Sequence, residues 1–171
     1  MPRYAAFLRG VSPMNARMPD LKRAFEAAGF TEVRTLLSSG NVLFTAPRAS
    51  GATLERRAEQ AMEAELGKAF LTMIRSVESL QEILSADPFK AVRLRAGERR
   101  VITFFREPPS RSVELPIRMG GARIVAVRNT EAFTTYIPEP PAGPDFMRLI
   151  EKTFGKAQTT RTWETVTKAA R

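Results

Sequence analysis

"VRTLLSSGNVLFT", residues 33–45, decides the fold. Two apolar runs, "VRTLL" and "NVLFT", flank a Ser-Ser-Gly centre, the composition of a tight turn between paired strands. Upstream, "MPDLKRAFEAAGF" (18–30) carries Leu21, Ala24, Phe25 and Ala28 at helical spacing, with Pro19 in the first turn and Gly29 where the helix should stop. It is preceded by a strand, "YAAFLRG" (4–10), and an irregular "VSPMNAR" (11–17). Downstream, Thr53 is a good N-cap for "LERRAEQAMEAEL" (54–66), whose apolar face is Leu54, Ala58, Ala61 and Met62, and "FLTMIR" (70–75) is a further strand. The order is βαββαβ. Right-handed crossovers then predict an antiparallel sheet of strand order 4-1-3-2 with both helices on one face, a ferredoxin-like plait over residues 1–75.

The remainder, 76–171, predicts a second, less regular plait-like half with a C-terminal helix, and the fold class is α+β. Ser76 is placed to cap a short helix bearing Val77, Leu80 and Ile83, which ends before a turn at Asp87-Pro88. "RVITFFR" (100–106) reads as a strand, "ARIVAVR" (122–128) and "AFTTYIP" (132–138) as a hairpin about Asn129, and "PDFMRLIEKTFG" (144–155) as a helix led in by Pro138, Pro140, Pro141 and Pro144. The pattern suits a plait whose first connecting helix has shrunk. In "TTRTWETVTKAAR" (159–171), Thr162 caps a short helix with Trp163, Val166 and Ala170 on one face, and Trp163 is expected to be mostly buried.

Composition narrows the chemistry. The chain has neither Cys nor His, so thiol nucleophiles, imidazole bases, Ser-His-Asp triads and typical zinc sites are excluded; no metal site and no cofactor is implied. No apolar run approaches about 18 residues, and the expectation is a soluble cytoplasmic protein, with a monomer favoured. Net charge is +9 and unevenly spread: residues 90–128 hold ten Lys or Arg against Glu98, Glu107 and Glu114. Such a segment is either a solvated basic face or a surface for phosphates.

Four runs in order, "YAAFLRGV", "MPDLKRAFEAAGFTEVRT", "LSSGNVLF" and "TTRTWETV", resemble the domain of unknown function 1697 family, a group of bacterial proteins of about this length. The resemblance implies an α+β fold with two plait-like halves and carries over no activity or cofactor. Arg9, Asn15, Ser39, Gly40, Asn41, Arg161 and Trp163 match its polar motifs. Where many members continue the Arg-Gly pair with a glycine-rich loop, this chain has Pro13 and Met14, which weakens a backbone cradle for phosphate there.

The predicted topology sets the end of strand one beside the start of strand three. Arg9, Ser12, Asn15, Arg17, Ser38, Ser39 and Asn41 therefore gather at one sheet edge, and with Arg161 and Trp163 they are the candidate ligand-binding residues. An arginine among hydroxyls and amides suits a phosphate or carboxylate, whereas the plain alternative is a turn whose polar groups satisfy local backbone. Three functions are compatible with this pattern. The first is non-enzymatic binding of an anionic small molecule or a nucleic-acid backbone. An RNA-recognition surface is disfavoured, because the central strands offer one aromatic, Phe7. The second is an enzyme using the Arg9/Asn41 cluster with Asp20 as proton carrier, although Asp20 also suits the first turn of a helix; the third is a structural or assembly role.

Overall fold

The computed structural model describes residues 1–171 except 38, 39, 111 and 139–141 and the side chains of 142–145. Ser38, Ser39, Arg111 and the proline lead at 140, 141 and 144 lie outside what is described. Two compact units form: Met1–Glu82 with Thr167–Arg171, and Ile83–Val166. The division expected from sequence, 1–75 and 76–171, sets the boundary earlier and keeps residues 167–171 with the second half.

The first unit runs β1 (Arg3–Leu8), α1 (Met18–Ala27), β2 (Thr31–Leu36), β3 (Asn41–Thr45), α2 (Gly51–Leu66) and β4 (Thr72–Ser76), with antiparallel strands in the order β2-β3-β1-β4. This is the expected 4-1-3-2 order read from the other edge. Tyr4, Ala6, Leu8, Val42 and Phe44 pack on Leu21 and Phe25 of α1 and on Leu54, Ala58 and Met62 of α2. Phe44 stacks on Tyr4 at 5.5 Å and on Phe30 at 4.2 Å. The opposite face of the sheet is also buried: Ala5, Phe7 and Met73 have no exposure. Phe7 is thus no open platform for a base.

Helix α2 is fixed both at its start and along its length. Its N-cap is Ser50 rather than Thr53; the Thr53 amide donates to Ser50 Oγ at 3.2 Å, so Thr53 sits inside the first turn. The edge strand β4 is guarded from α2, whose Glu55 and Glu59 carboxylates accept from the Ile74 amide at 2.9 Å and the Thr72 amide at 3.2 Å. An edge with its donors taken is a poor template for another strand.

The second unit contains β5 (Arg99–Phe105), β6 (Ile117–Met119), β7 (Ala122–Arg128), β8 (Glu131–Tyr136), α4 (Ala142–Phe154) and β9 (Gln158–Thr162), antiparallel in the order β6-β7-β8-β5-β9. Leaving out the three-residue β6, the order by chain position is 2-3-1-4, as in the first unit. An irregular stretch and β6 stand where the first crossover helix would be. Leu149 of α4 packs on Ala122 and Ile124, while Phe146 stacks on Tyr136 at 4.2 Å. The repetition extends past the last strand of each sheet, which runs directly into a capped helix. α3 (Val77–Ala86) succeeds β4, capped by Ser76 Oγ accepting from the Ser79 amide at 3.1 Å; α5 (Trp163–Ala169) succeeds β9, capped by Thr162 Oγ1 accepting from the Thr165 amide at 3.2 Å. Between α3 and β5, Asp87 caps a 3₁₀ turn, Pro88–Ala91, through the Phe89 amide at 3.2 Å.

The basic segment is partly neutralised from within. Glu98, whose side chain has no exposure, accepts from Arg123 Nε at 2.9 Å, from Arg95 Nη2 at 2.7 Å and from the Thr135 hydroxyl. Burial favours the neutral acid, but these hydrogen bonds outweigh it and hold the Glu98 carboxyl far below the usual carboxylate range. Among the described residues, no helix is long and apolar enough to cross a membrane.

Candidate functional site

The turn and the β1–α1 loop meet at one edge of the first sheet. Phe7 pairs with Asn41, and the Leu8 amide donates to the Gly40 carbonyl at 2.9 Å. Gly40 has φ +80, and a Cβ there would lie 2.9 Å from Val11 Cβ. The glycine is therefore required twice, by its conformation and by the approach of the loop.

The polar groups at this edge are largely committed to its architecture. Asn15 closes the loop, its Oδ1 accepting from the Ser12 amide at 2.8 Å and its Nδ2 donating to the Gly10 carbonyl at 2.8 Å. Asn41 is fully buried and its Nδ2 donates to the Leu36 carbonyl at 3.0 Å, tying the hairpin together. Arg17 pairs with Asp20 at 3.0 Å, and Arg23 pairs with the other oxygen of Asp20. The hydrogen bond from Arg17 holds the Asp20 carboxyl below its ordinary value, so Asp20 stays ionised at neutral pH and is poorly suited to carry a proton. Arg9 is half-buried, its amide donating to the Leu71 carbonyl at 2.8 Å.

Arg161 and Trp163 belong to the second unit. Burial pulls the Arg161 guanidinium down to about 10; its Nη1 donates to Thr159 Oγ1 at 2.7 Å and to the Thr160 carbonyl at 2.8 Å. Trp163 keeps only a minor part of its surface exposed, in line with the mostly buried ring expected from the sequence. Phe89 meets it edge-on at 5.5 Å, and the Arg100 guanidinium lies 4.8 Å from its ring centre, so a cation already occupies part of the ring surface where a base would stack.

Sequence reasoning missed a different feature of the first unit: a cavity of about 310 Å³ lined by Arg3, Glu32, Arg34, Leu43, Thr45, Val77 and Ala169, together with Tyr4 and Phe44. Register explains its chemistry. Arg3 pairs with Thr45 across β1 and β3, and Arg34 pairs with Leu43 across β2 and β3, so these four share the sheet face opposite the helices. Arg3 and Arg34 stand on strands flanking β3, about 10 Å apart laterally and about 7 Å along the strands, a span two arginine side chains can close on one group. Between the Thr31 and Arg34 pairings, β2 places Glu32 and Val33 opposite Phe44 alone, a bulge. Glu32 sits there at φ +50, and its Oε2 accepts from the Thr45 hydroxyl at 2.8 Å. Arg3 Nη1 donates to the backbone oxygen of Arg171 at 2.7 Å, whereas among the described residues the Arg34 side chain makes no hydrogen bond or ion pair.

The comparisons agree with this architecture. A conserved bacterial protein, SP0830 from Streptococcus pneumoniae, superposes with a TM-score of 0.72 over 99% of this chain and 97% of its own, at 20% identity, which speaks for the fold alone. No curated protein sequence matches. The family described as protein of unknown function (DUF1697) matches residues 1–133. The chain, with its β2–β3 hairpin and, β6 aside, the same 2-3-1-4 strand order in each sheet, belongs to the DUF1697 family.

Proposed function

We propose that the protein binds an anionic small molecule without transforming it, and that the ligand sits in the cavity between Arg3 and Arg34. The observation that carries this reading is Arg34, a guanidinium at a cavity rim with no carboxylate of its own among the described residues. A phosphate or carboxylate would supply the planar or tetrahedral oxygens that its fork is shaped to grip. The cavity lies at the lower end of the roughly 300–1,000 Å³ range of small-molecule sites. The Arg9 edge is the second candidate position, and Arg9→Lys tests it alongside. Titration calorimetry with ethyl phosphate and with butyrate is the direct measurement. Arg34→Ala, an exposed substitution, should keep the melting temperature and weaken binding about 10- to 100-fold, as expected for a lost charged hydrogen bond. Binding unchanged by Arg34→Ala, or no binding of either anion, counts against the cavity.

A second reading, contact with a nucleic-acid backbone, is favoured by the exposure of Lys90, Arg93, Arg99, Arg118 and Arg128 in the basic segment. Contacts of this kind release counterions. Affinity for duplex DNA should then fall with salt by about 0.9 log units per log unit for each phosphate contact, and show no sequence preference. Filter binding at several salt concentrations checks it; a flat profile removes this reading.

A further inference from the structure

The cavity holds one charged group that simple anion binding does not use. Glu32 lies at the bulge of β2 with φ +50, a conformation that strains any side chain and that glycine adopts freely. Glycine is the usual occupant of a left-handed bulge position. A glutamate kept there directs a carboxylate to the cavity that houses Arg3 and Arg34, and backbone strain of this sort persists where the side chain is needed in one place. Its hydrogen bond from Thr45 fixes one oxygen of the carboxylate through Oε2. Like Arg34, Glu32 makes no ion pair among the described residues.

The cavity therefore presents opposite charges on one β-sheet surface, with Leu43, Val77 and Ala169 as apolar lining. A purely anionic ligand would be repelled by Glu32. A ligand with an ammonium group would meet it favourably while its phosphate or carboxylate engages the arginines. We propose that the cavity selects small amphoteric molecules, bearing one ammonium group and one phosphate or carboxylate, over anions of the same size. This rests on the anion-binding reading above and adds the cationic half of the ligand.

The test uses matched probe pairs on the full chain: O-phosphoethanolamine against ethyl phosphate, and 4-aminobutyrate against butyrate, by titration calorimetry. The amphoteric member of at least one pair should bind ten-fold or more tightly, and Glu32→Gln should erase that preference while keeping the anion's affinity or raising it, since the repulsion is gone. Glu32→Gly should erase it too and yet leave the melting temperature equal or higher, because the glycine relieves the left-handed strain. Equal binding within both pairs overturns the amphoteric inference and leaves anion binding standing. Failure of all four probes to bind overturns both. A preference that survives in Glu32→Gln also overturns it, since the ammonium would then be recognised elsewhere.

Discussion

Replacing Gly40 by alanine should destabilise the protein by about 2–5 kcal/mol, the sum of a left-handed backbone penalty and an overpacked contact. At φ +80 an L-residue is strained wherever it stands, and here the added methyl would also lie 2.9 Å from Val11 Cβ and 3.3 Å from Leu8 Cβ. Neither neighbour can retreat easily: Leu8 is a core residue of β1, and Val11 is packed against the same core. At roughly 2–4 °C per kcal/mol for a chain of this size, the melting temperature should drop by about 4–20 °C. Val11→Gly in the same background, which removes both the Cβ and the Cγ2 that the new methyl would meet, separates the two causes. It should return the part due to the clash and leave the part due to the backbone. A single Gly40→Ala variant that melts with the parent would mean that the β1–α1 loop does not rest on the turn.

Glu98 should matter as much in the second unit. Removing its carboxylate by Glu98→Ala leaves Arg123, whose side chain is 12% exposed, as a largely buried charge without its counter-ion, a loss of about 3–5 kcal/mol in comparable cases. The pH dependence has a definite sign. The folded protein holds Glu98 ionised far below the ordinary glutamate range, so on acidification the unfolded chain takes up the proton first. The contribution of Glu98 is complete above the ordinary glutamate pKa of about 4.3 and drains away as pH falls below it. Melting curves of the parent and of Glu98→Gln between pH 7 and pH 3 should converge towards the acid end. A gap that stays constant would assign the stabilisation to packing instead of charge.

The first unit could be read from its sequence because each step of the pattern had a physical marker: Pro19 and Gly29 bracket α1, and the Ser-Ser-Gly centre separates two apolar strands. The second unit was read less completely. β9 is "QTTRT", five polar residues whose burial comes from pairing with β5 rather than from apolar alternation, and periodicity has no purchase on such a strand. β6 spans three residues and comes after prolines. Glu98 looked like a minor counterweight in a basic run, whereas Arg95, Arg123 and Thr135 converge on it from positions up to 37 residues away. The expected site shows the same division. Convergence of the β1–α1 loop and the hairpin was legible from topology, but the local bonds of Asn15 and Asn41 were not, since amide orientation is decided by loop geometry. The cavity was out of reach for a further reason: its lining is drawn from residues 3, 32, 34, 45, 77 and 169, and no motif joins them. Glu32 carries no mark of a left-handed position, because the residue that would announce one is glycine.

The membership of Thr167–Arg171 in the first unit bears on the order in which the protein is made. During synthesis all of β1 to β4 emerges, then the whole of the second unit, and only afterwards the segment that supplies Ala169 and Ala170 to the first unit's interior. The bonds that anchor it, from Arg3 to the Arg171 backbone oxygen at 2.7 Å and from Gln81 Nε2 to the Ala170 carbonyl at 2.9 Å, span 168 and 89 positions. Loop closure over such separations costs little more than over half of them, because the entropy grows only with the logarithm of length. The delay is in time more than in free energy: at about 5–20 residues per second, the first unit waits several seconds on the ribosome for its final piece. Throughout that interval the wall of the cavity that Ala169 provides is absent, so a ligand held there is one the nascent first unit cannot yet enclose.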